Sequence, residues 1–247
     1  MTRVISTMHR LVELGLSGMA IAYERQLNQP DLQQQTFDVR LGLMMDAEVS
    51  ERETRKVERL VKGARLRESQ AVLEDVDYRA SRGLDRSLLM SLTECEWLRR
   101  RQNLILTGAT GTGKTWLACA FGNQACRLGF TTCYRTANQL FEDILLSQAD
   151  STLPKLRRQL IKTQLLIIDD LGIGGITAQL GPLLLEIIDQ QSRNGSLLIT
   201  SQYPQDKWYD LFADPTIADA ILDRVIHKSH ALQLKGESMR KMRGKKS

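Results

Sequence analysis

No apolar run in the 247-residue sequence approaches the roughly 18–20 residues that cross a bilayer, so a membrane-spanning role is not expected. The stretch LVELGLSGMAIA near the N-terminus carries Glu13 and lacks a small-residue cleavage site, so it reads as a helix and not a secretion signal. Cysteine is scarce: Cys95, Cys119, Cys126 and Cys133 form neither a CxxC pair nor a metal-ligand spacing. That argues against a disulfide framework and fits a reducing cytoplasm. Histidine is scarcer still, and His227 and His230 have no acid or cysteine converging on them, which sets a zinc site aside. Aromatics make up 5% of the chain, and Trp208 and Tyr209 read as packing residues, not a base-stacking platform. There is no internal repeat and no low-complexity tract.

What is present is ordinary for a soluble globular protein: 42% hydrophobic and 26% charged residues. The length suits one full-sized domain with a small appendage. The net charge of +5 is concentrated at the end, where Lys235, Arg240, Lys241, Arg243, Lys245 and Lys246 stand against Glu237 and leave the rest of the chain neutral. Such a tail is either a solvated end or a polyanion contact.

Two compositional halves follow. Residues 1–70 show no strand run and read as helices, VISTMHRLVELGLSGMAIAYERQL and TFDVRLGLMMDAEVSERETRKVERLVKGARLRE, separated by Asn28, Pro30 and Asp31. Between residues 52 and 67, Arg52, Arg55, Lys56, Arg59, Lys62, Arg65 and Arg67 face only Glu53 and Glu58. Arg52, Arg55, Arg59 and Lys62 recur at helical spacing on one face, which makes Arg52, Arg55, Lys56, Arg59 and Lys62 candidates for contact with a phosphate backbone. Residues 71–101 read as a linker, LEDVDYRASRGLD, followed by the helical RSLLMSLTECEWLRRR.

From 102 to 247 strands and helices alternate. Strands are expected at 103–108, 131–136, 165–170, 196–201 and 230–235, with helices at 114–128, 137–148, 153–162, 178–193 and 216–227. Apolar runs bounded by turns and separated by helices imply an α/β fold, a parallel sheet with helices on both faces.

The chemistry lies in this half. Gly108-Ala109-Thr110-Gly111-Thr112-Gly113-Lys114-Thr115, followed by Trp116, matches GxxxxGK[ST] between a strand and a helix. Glycines let backbone N–H groups wrap phosphate oxygens, Lys114 can reach the β- and γ-phosphates, and the Thr115 hydroxyl can ligate Mg²⁺. The cofactors implied are ATP and Mg²⁺. In LLIIDDLG, Asp169 is the expected carboxylate beside the metal, and Asp170 stands where it could orient the attacking water or cap the next turn.

GATGTGKT, LLIIDDLG, LLITSQYP and ILDRVIHKSHALQLKGESMRK, in this order and spacing, resemble the IstB family, ATPase helpers of insertion-sequence transposition related to the DnaC and DnaA group of AAA+ proteins. The resemblance covers essentially the whole chain and implies a P-loop AAA+ core behind a small all-α N-terminal domain. It further implies that Gln202 senses the γ-phosphate where many relatives have Asn, that Arg224 completes a neighbour's site, and that Arg240 acts within its own chain. Without it, Arg224 reads as a helix-terminal charge and Arg240 as a tail residue. Many AAA+ proteins have Asp-Glu where this chain has Asp169-Asp170, so slow hydrolysis without a stimulating partner is expected. The implied partners are a transposase, other copies of the chain in a ring or helical filament, and duplex DNA bound with little sequence preference. The alternatives are a DnaC-like helicase loader, a P-loop kinase and a nucleotide-gated binding module.

Overall fold

A computed structural model of the protein describes residues 2–78, 83–236 and 239. The chain clusters into two compact units, residues 1–59 and 60–247. Among the described residues no helix is long and apolar enough to cross a membrane.

The first unit is helical: α1 (Thr2–Glu13), α2 (Ser17–Asn28), α3 (Pro30–Gln33) and the larger part of α4 (Phe37–Ala64). The first helical run of the sequence is broken in two. Gly15 adopts φ 72, its N–H bonds to Val12 O and that of Leu16 to Leu11 O, the pairing that closes a helix through a left-handed residue. The new N-terminus of α2 is then capped from α4: Glu48 Oε2 accepts the N–H groups of Gly18 (2.8 Å) and Met19 (3.2 Å). This needs glycine at 18, because a Cβ there would lie 2.5 Å from Ala47 O.

The second unit is built on a five-stranded parallel sheet of order β2-β3-β4-β1-β5, with β1 at Asn103–Gly108, β2 at Thr132–Thr136, β3 at Leu165–Leu171, β4 at Ser196–Ser201 and β5 at Ser229–Leu234. The helices are α5 (Arg86–Thr93), α6 (Glu96–Arg99), α7 (Lys114–Arg127), α8 (Ala137–Ala149), α9 (Leu153–Ile161), α10 (Leu180–Asn194) and α11 (Pro215–Ile226). Each element of the alternating half lies within two residues of its expected place. The central strands β1, β3 and β4 bury both faces, so their side chains divide by parity. Leu104, Leu106, Leu165, Ile167 and Leu198 enter one core with α7, while Ile105, Leu166, Ile168, Leu197 and Ile199 enter the other with α8, α10 and α11. Burying each such side chain stabilises the unit by about 1.5–3 kcal/mol.

The stretch that reads as a linker packs into the first of these cores through Ala71, Leu73 and Val76, and α5 and α6 add Leu89, Leu92, Trp97 and Leu98. Its apolar residues are the short run Ala71-Val72-Leu73 and then Val76 among acids, a pattern with neither helical nor strand period, so their burial has no signature in the spacing. At the amino ends of the inner strands, the Asn103 side chain donates to the carbonyls of Arg224 (3.1 Å) and Val225 (2.9 Å) and accepts the Leu197 N–H (2.9 Å). One amide thereby ties the end of α11 to the start of β1 and β4.

Candidate nucleotide site

The site forms where the carboxyl ends of β1, β3 and β4 meet the start of α7. The loop after β1 turns on Gly108, Gly111 and Gly113, all at positive φ. At Gly108 a Cβ would meet Leu234 O at 2.3 Å, and Gly113 at φ 93 is the residue from which α7 departs. Lys114 is buried, with Nζ donating to the carbonyls of Gly108 (2.8 Å) and Ala109 (3.1 Å). Burial pushes its pKa below the usual lysine range, and the nearby Asp170 and Asp169 carboxylates oppose that shift. The Thr112 hydroxyl bonds back to Ala109 O at 2.8 Å, bracing the loop from inside.

Asp169 is fully buried at the end of β3, and its oxygens are held from three elements. Oδ1 accepts the Thr115 hydroxyl of α7 at 3.2 Å and the Thr200 hydroxyl of β4 at 2.5 Å; Oδ2 accepts the Tyr134 hydroxyl of β2 at 2.7 Å. Burial, and then the bond to Asp169, push the Tyr134 phenol far above its usual range, so it remains a proton donor. Asp170 follows at φ 59, with its N–H on Thr200 Oγ1 at 2.8 Å. The kink turns the two neighbouring carboxylates different ways, Asp169 into the interior and Asp170 into the cleft.

That cleft, of about 400 Å³, is lined by the loop from Thr110 to Trp116 (without Thr112), by Asp170, Ile173 and Gln202, and by Met239. Gln202 Oε1 accepts the Thr110 hydroxyl at 3.1 Å, which holds the end of β4 against the phosphate loop. Arg67, Glu68, Asp75 and Asp77 complete the wall; Arg67 belongs to the basic stretch of the sequence, and no motif singles out the three acids. The two aspartates fall in the LEDVD stretch, where acids at alternate positions beside buried Leu73 and Val76 were the available signal.

Among the described residues no group of three His, Cys, Asp or Glu side chains is placed to hold a metal alone. The donors present, a threonine hydroxyl 3.2 Å from a buried carboxylate, are oxygen ligands. They suit a hard cation whose remaining positions are filled by phosphate and water, which fits Mg²⁺.

Arg224 does not line this cleft. Its Nε bonds to Asp189 Oδ1 on α10 at 2.8 Å, and Arg193 holds the other oxygen at 2.9 Å. Arg240 and the tail residues Lys241, Arg243, Lys245 and Lys246 lie outside the described residues. Arg52, Arg55, Lys56, Arg59 and Lys62 are all exposed on α4. Two of them are partnered: Arg52 with Glu48 and Arg55 with Glu51, each at 2.7 Å. The acids that temper this face lie one helical turn upstream of the arginines, outside the window whose charges the sequence reading compared.

A family model described as IstB-like ATP binding protein matches residues 9–247. The chain belongs to this family. It is 41% identical over 241 residues to a protein of Sinorhizobium fredii named as an insertion-sequence ATP-binding protein, y4pL, covering 98% of each chain. It is also 41% identical over 198 residues to one of Pseudomonas fluorescens named for insertion sequence IS1162, covering 80% of this chain and 86% of that one. Among solved structures it is similar to DnaI (TM-score 0.56, 20% identity, 68% of this chain and 90% of that one) and to AMPPCP-bound DnaA from Aquifex aeolicus (TM-score 0.56, 19% identity, 72% and 55%). At these identities the likeness is one of fold, the P-loop AAA+ fold.

Proposed function

We propose that the chain is a DNA-binding AAA+ ATPase that assembles on target DNA with ATP and assists a transposase. The observation that carries the nucleotide half of this reading is the junction of Thr115 with the buried Asp169 at 3.2 Å, directly under a glycine loop that ends in Lys114. The loop N–H groups and the start of α7 cradle the phosphates, and Lys114 offsets the charge at the β- and γ-positions. Thr115 and Asp169 would hold Mg²⁺, which would neutralise charge on the transferring phosphoryl group. Asp170, facing the cleft beside Gln202, orients the water that attacks the γ-phosphorus, giving ADP and phosphate from ATP and water. Arg240 acts on the nucleotide within its own chain. Arg224, outside its own cleft, serves a neighbouring subunit, so turnover depends on assembly.

The transposition half rests on kinship: relatives at 41% identity over most of their length are named for insertion sequences, whereas a helicase-loader role has likeness of fold alone in its favour. The exposed cations of α4 supply backbone contact without sequence readout, and several protomers on one duplex multiply a modest contact per chain. Fluorescence anisotropy of a labelled duplex, titrated with protein in Mg²⁺-ATP and in ADP, tests this. Tighter binding in ATP across unrelated sequences is expected. No binding in either state would overturn the DNA role and favour a small-molecule P-loop enzyme.

A further inference from the structure

A second concavity opens at the tip of β2. Arg65, Arg67, Arg135, Tyr134, Gln139 and Asp143 are among the residues that line a pocket of about 560 Å³. Among the lining residues three guanidinium groups stand against one carboxylate, and Asp169 and Asp170 also act on Arg67 from the nucleotide side. Asp143 engages Arg135 Nε at 3.4 Å, and an Arg135 terminal nitrogen donates to Tyr134 O at 2.8 Å. The Arg135 side chain is 14% exposed, so its fork is already held before anything binds, and little rotamer freedom remains to be lost. Arg65, which is exposed, follows α4 at φ 54, a left-handed conformation that an ordinary side chain adopts at some cost.

No aliphatic side chain lines this pocket, and its three arginines favour an anionic ligand. Planar guanidinium forks match the paired oxygens of a phosphate. The phosphates of ATP already have the glycine loop in the other cleft. The two sites nevertheless share a wall, because Arg67 lines both. Tyr134 joins them chemically: its hydroxyl lies against Arg67 and donates to Asp169 Oδ2 at 2.7 Å.

We propose that this arginine pocket takes a phosphate of the nucleic-acid backbone, and that Tyr134 couples its occupancy to the metal-side carboxylate Asp169. The inference rests on the DNA-binding reading above and adds a contact in the ATPase unit itself. A phosphate drawing on Arg67 alters the field at the Tyr134 hydroxyl and hence its bond to Asp169. Coupling of this kind is reciprocal: whatever factor DNA imposes on nucleotide affinity, nucleotide imposes on DNA affinity.

The test is anisotropy of a labelled duplex against full-length protein over a range of salt, with and without Mg²⁺ and a non-hydrolysable ATP analogue. Arg65→Glu is expected to weaken DNA binding at least about tenfold and to lower the log–log salt slope by about one. Arg65→Lys, which keeps the charge, should fall between it and wild type, and Arg135→Gln should follow Arg65→Glu. Arg100→Glu, a reversal at an exposed arginine outside the pocket, should stay within about twofold of wild type. Binding of a fluorescent ATP analogue without DNA reports that each variant is folded. In Tyr134→Phe the nucleotide-dependent change in DNA affinity should fall towards none. Wild-type protein that binds no DNA would overturn both this inference and the reading it rests on. Wild-type binding that Arg65→Glu and Arg135→Gln leave unchanged would overturn this inference alone, as would full coupling in Tyr134→Phe.

Discussion

Thr200 on β4 donates its hydroxyl to Asp169 Oδ1 at 2.5 Å, and Thr200 Oγ1 in turn accepts the N–H of Asp170 at 2.8 Å. One buried side chain therefore sets the positions of both acids at the end of β3. Thr200→Val keeps the shape and removes the hydroxyl. It leaves a buried carboxylate oxygen and a backbone N–H each short of a partner, at a cost of about 1–3 kcal/mol. The expected outcome is a lower urea midpoint and an ATPase rate reduced at least about tenfold, since an acid misplaced by a fraction of an ångström no longer holds its ligand. A variant with wild-type rate would show that Asp169 finds its position without β4.

Asp170 is held at φ 59, where Asp is enriched over longer side chains. This gives a physical reason for the Asp-Asp pair where many AAA+ proteins have Asp-Glu. Asp170→Asn keeps the backbone and removes the charge that orients water, and the single-turnover rate is expected to fall about 10²-fold or more while ATP still binds. Asp170→Glu reaches a methylene further and should raise the unstimulated rate, with stability lower by about 1 kcal/mol from the strained backbone. An Asp170→Glu chain no faster than wild type would show that reach does not limit hydrolysis.

The Asp189 carboxyl lies below its usual value near 3.8, first because of the bond from Arg224 and then through the charge of Arg193, with burial opposing. A carboxyl with a depressed folded pKa contributes stability above its unfolded value, and loses it as pH falls through the folded one. Asp189→Asn is expected to lower the thermal midpoint by about 1–3 °C at pH 7. The difference from wild type should shrink towards zero below pH 3.8, because the unfolded wild-type carboxyl is protonated first. A constant difference across that range would point to packing instead of the ion pair.

All four cysteines are buried, and burial is the first cause of the raised thiol pKa at each, about 12 at Cys95 and about 11 at Cys119. The native protein should therefore resist a disulfide reagent at pH 8 over hours, and release four equivalents once unfolded. Rapid labelling of one thiol would reveal local opening of the element that carries it.

The alternating half of the chain is legible in the sequence because buried parallel strands are continuous apolar runs and the phosphate loop is a local motif. NLILTG and LLIIDD announce both the strand and the residues at its end. The supports of Asp169 are not legible in this way, since Tyr134 and Thr200 stand 35 and 31 positions from it and meet it only through strand order. Their one signature is a polar group inside an otherwise apolar strand. The division of the first helix at Gly15 was hidden because a single glycine in a helical pattern is compatible with continuation as well as arrest. The basic face of α4 looked barer than it is because Glu48 and Glu51 precede the arginines they neutralise.

On the proposed function, ATP turnover belongs to an assembly on DNA. ATPase rate per subunit, measured against protein concentration with and without duplex DNA, for wild type and Arg224→Ala, tests it most directly. The rate is expected to climb with concentration and with DNA, and to fall on the order of 10³-fold in the variant. A rate independent of concentration, of DNA and of Arg224 would contradict it and describe a P-loop enzyme that works alone.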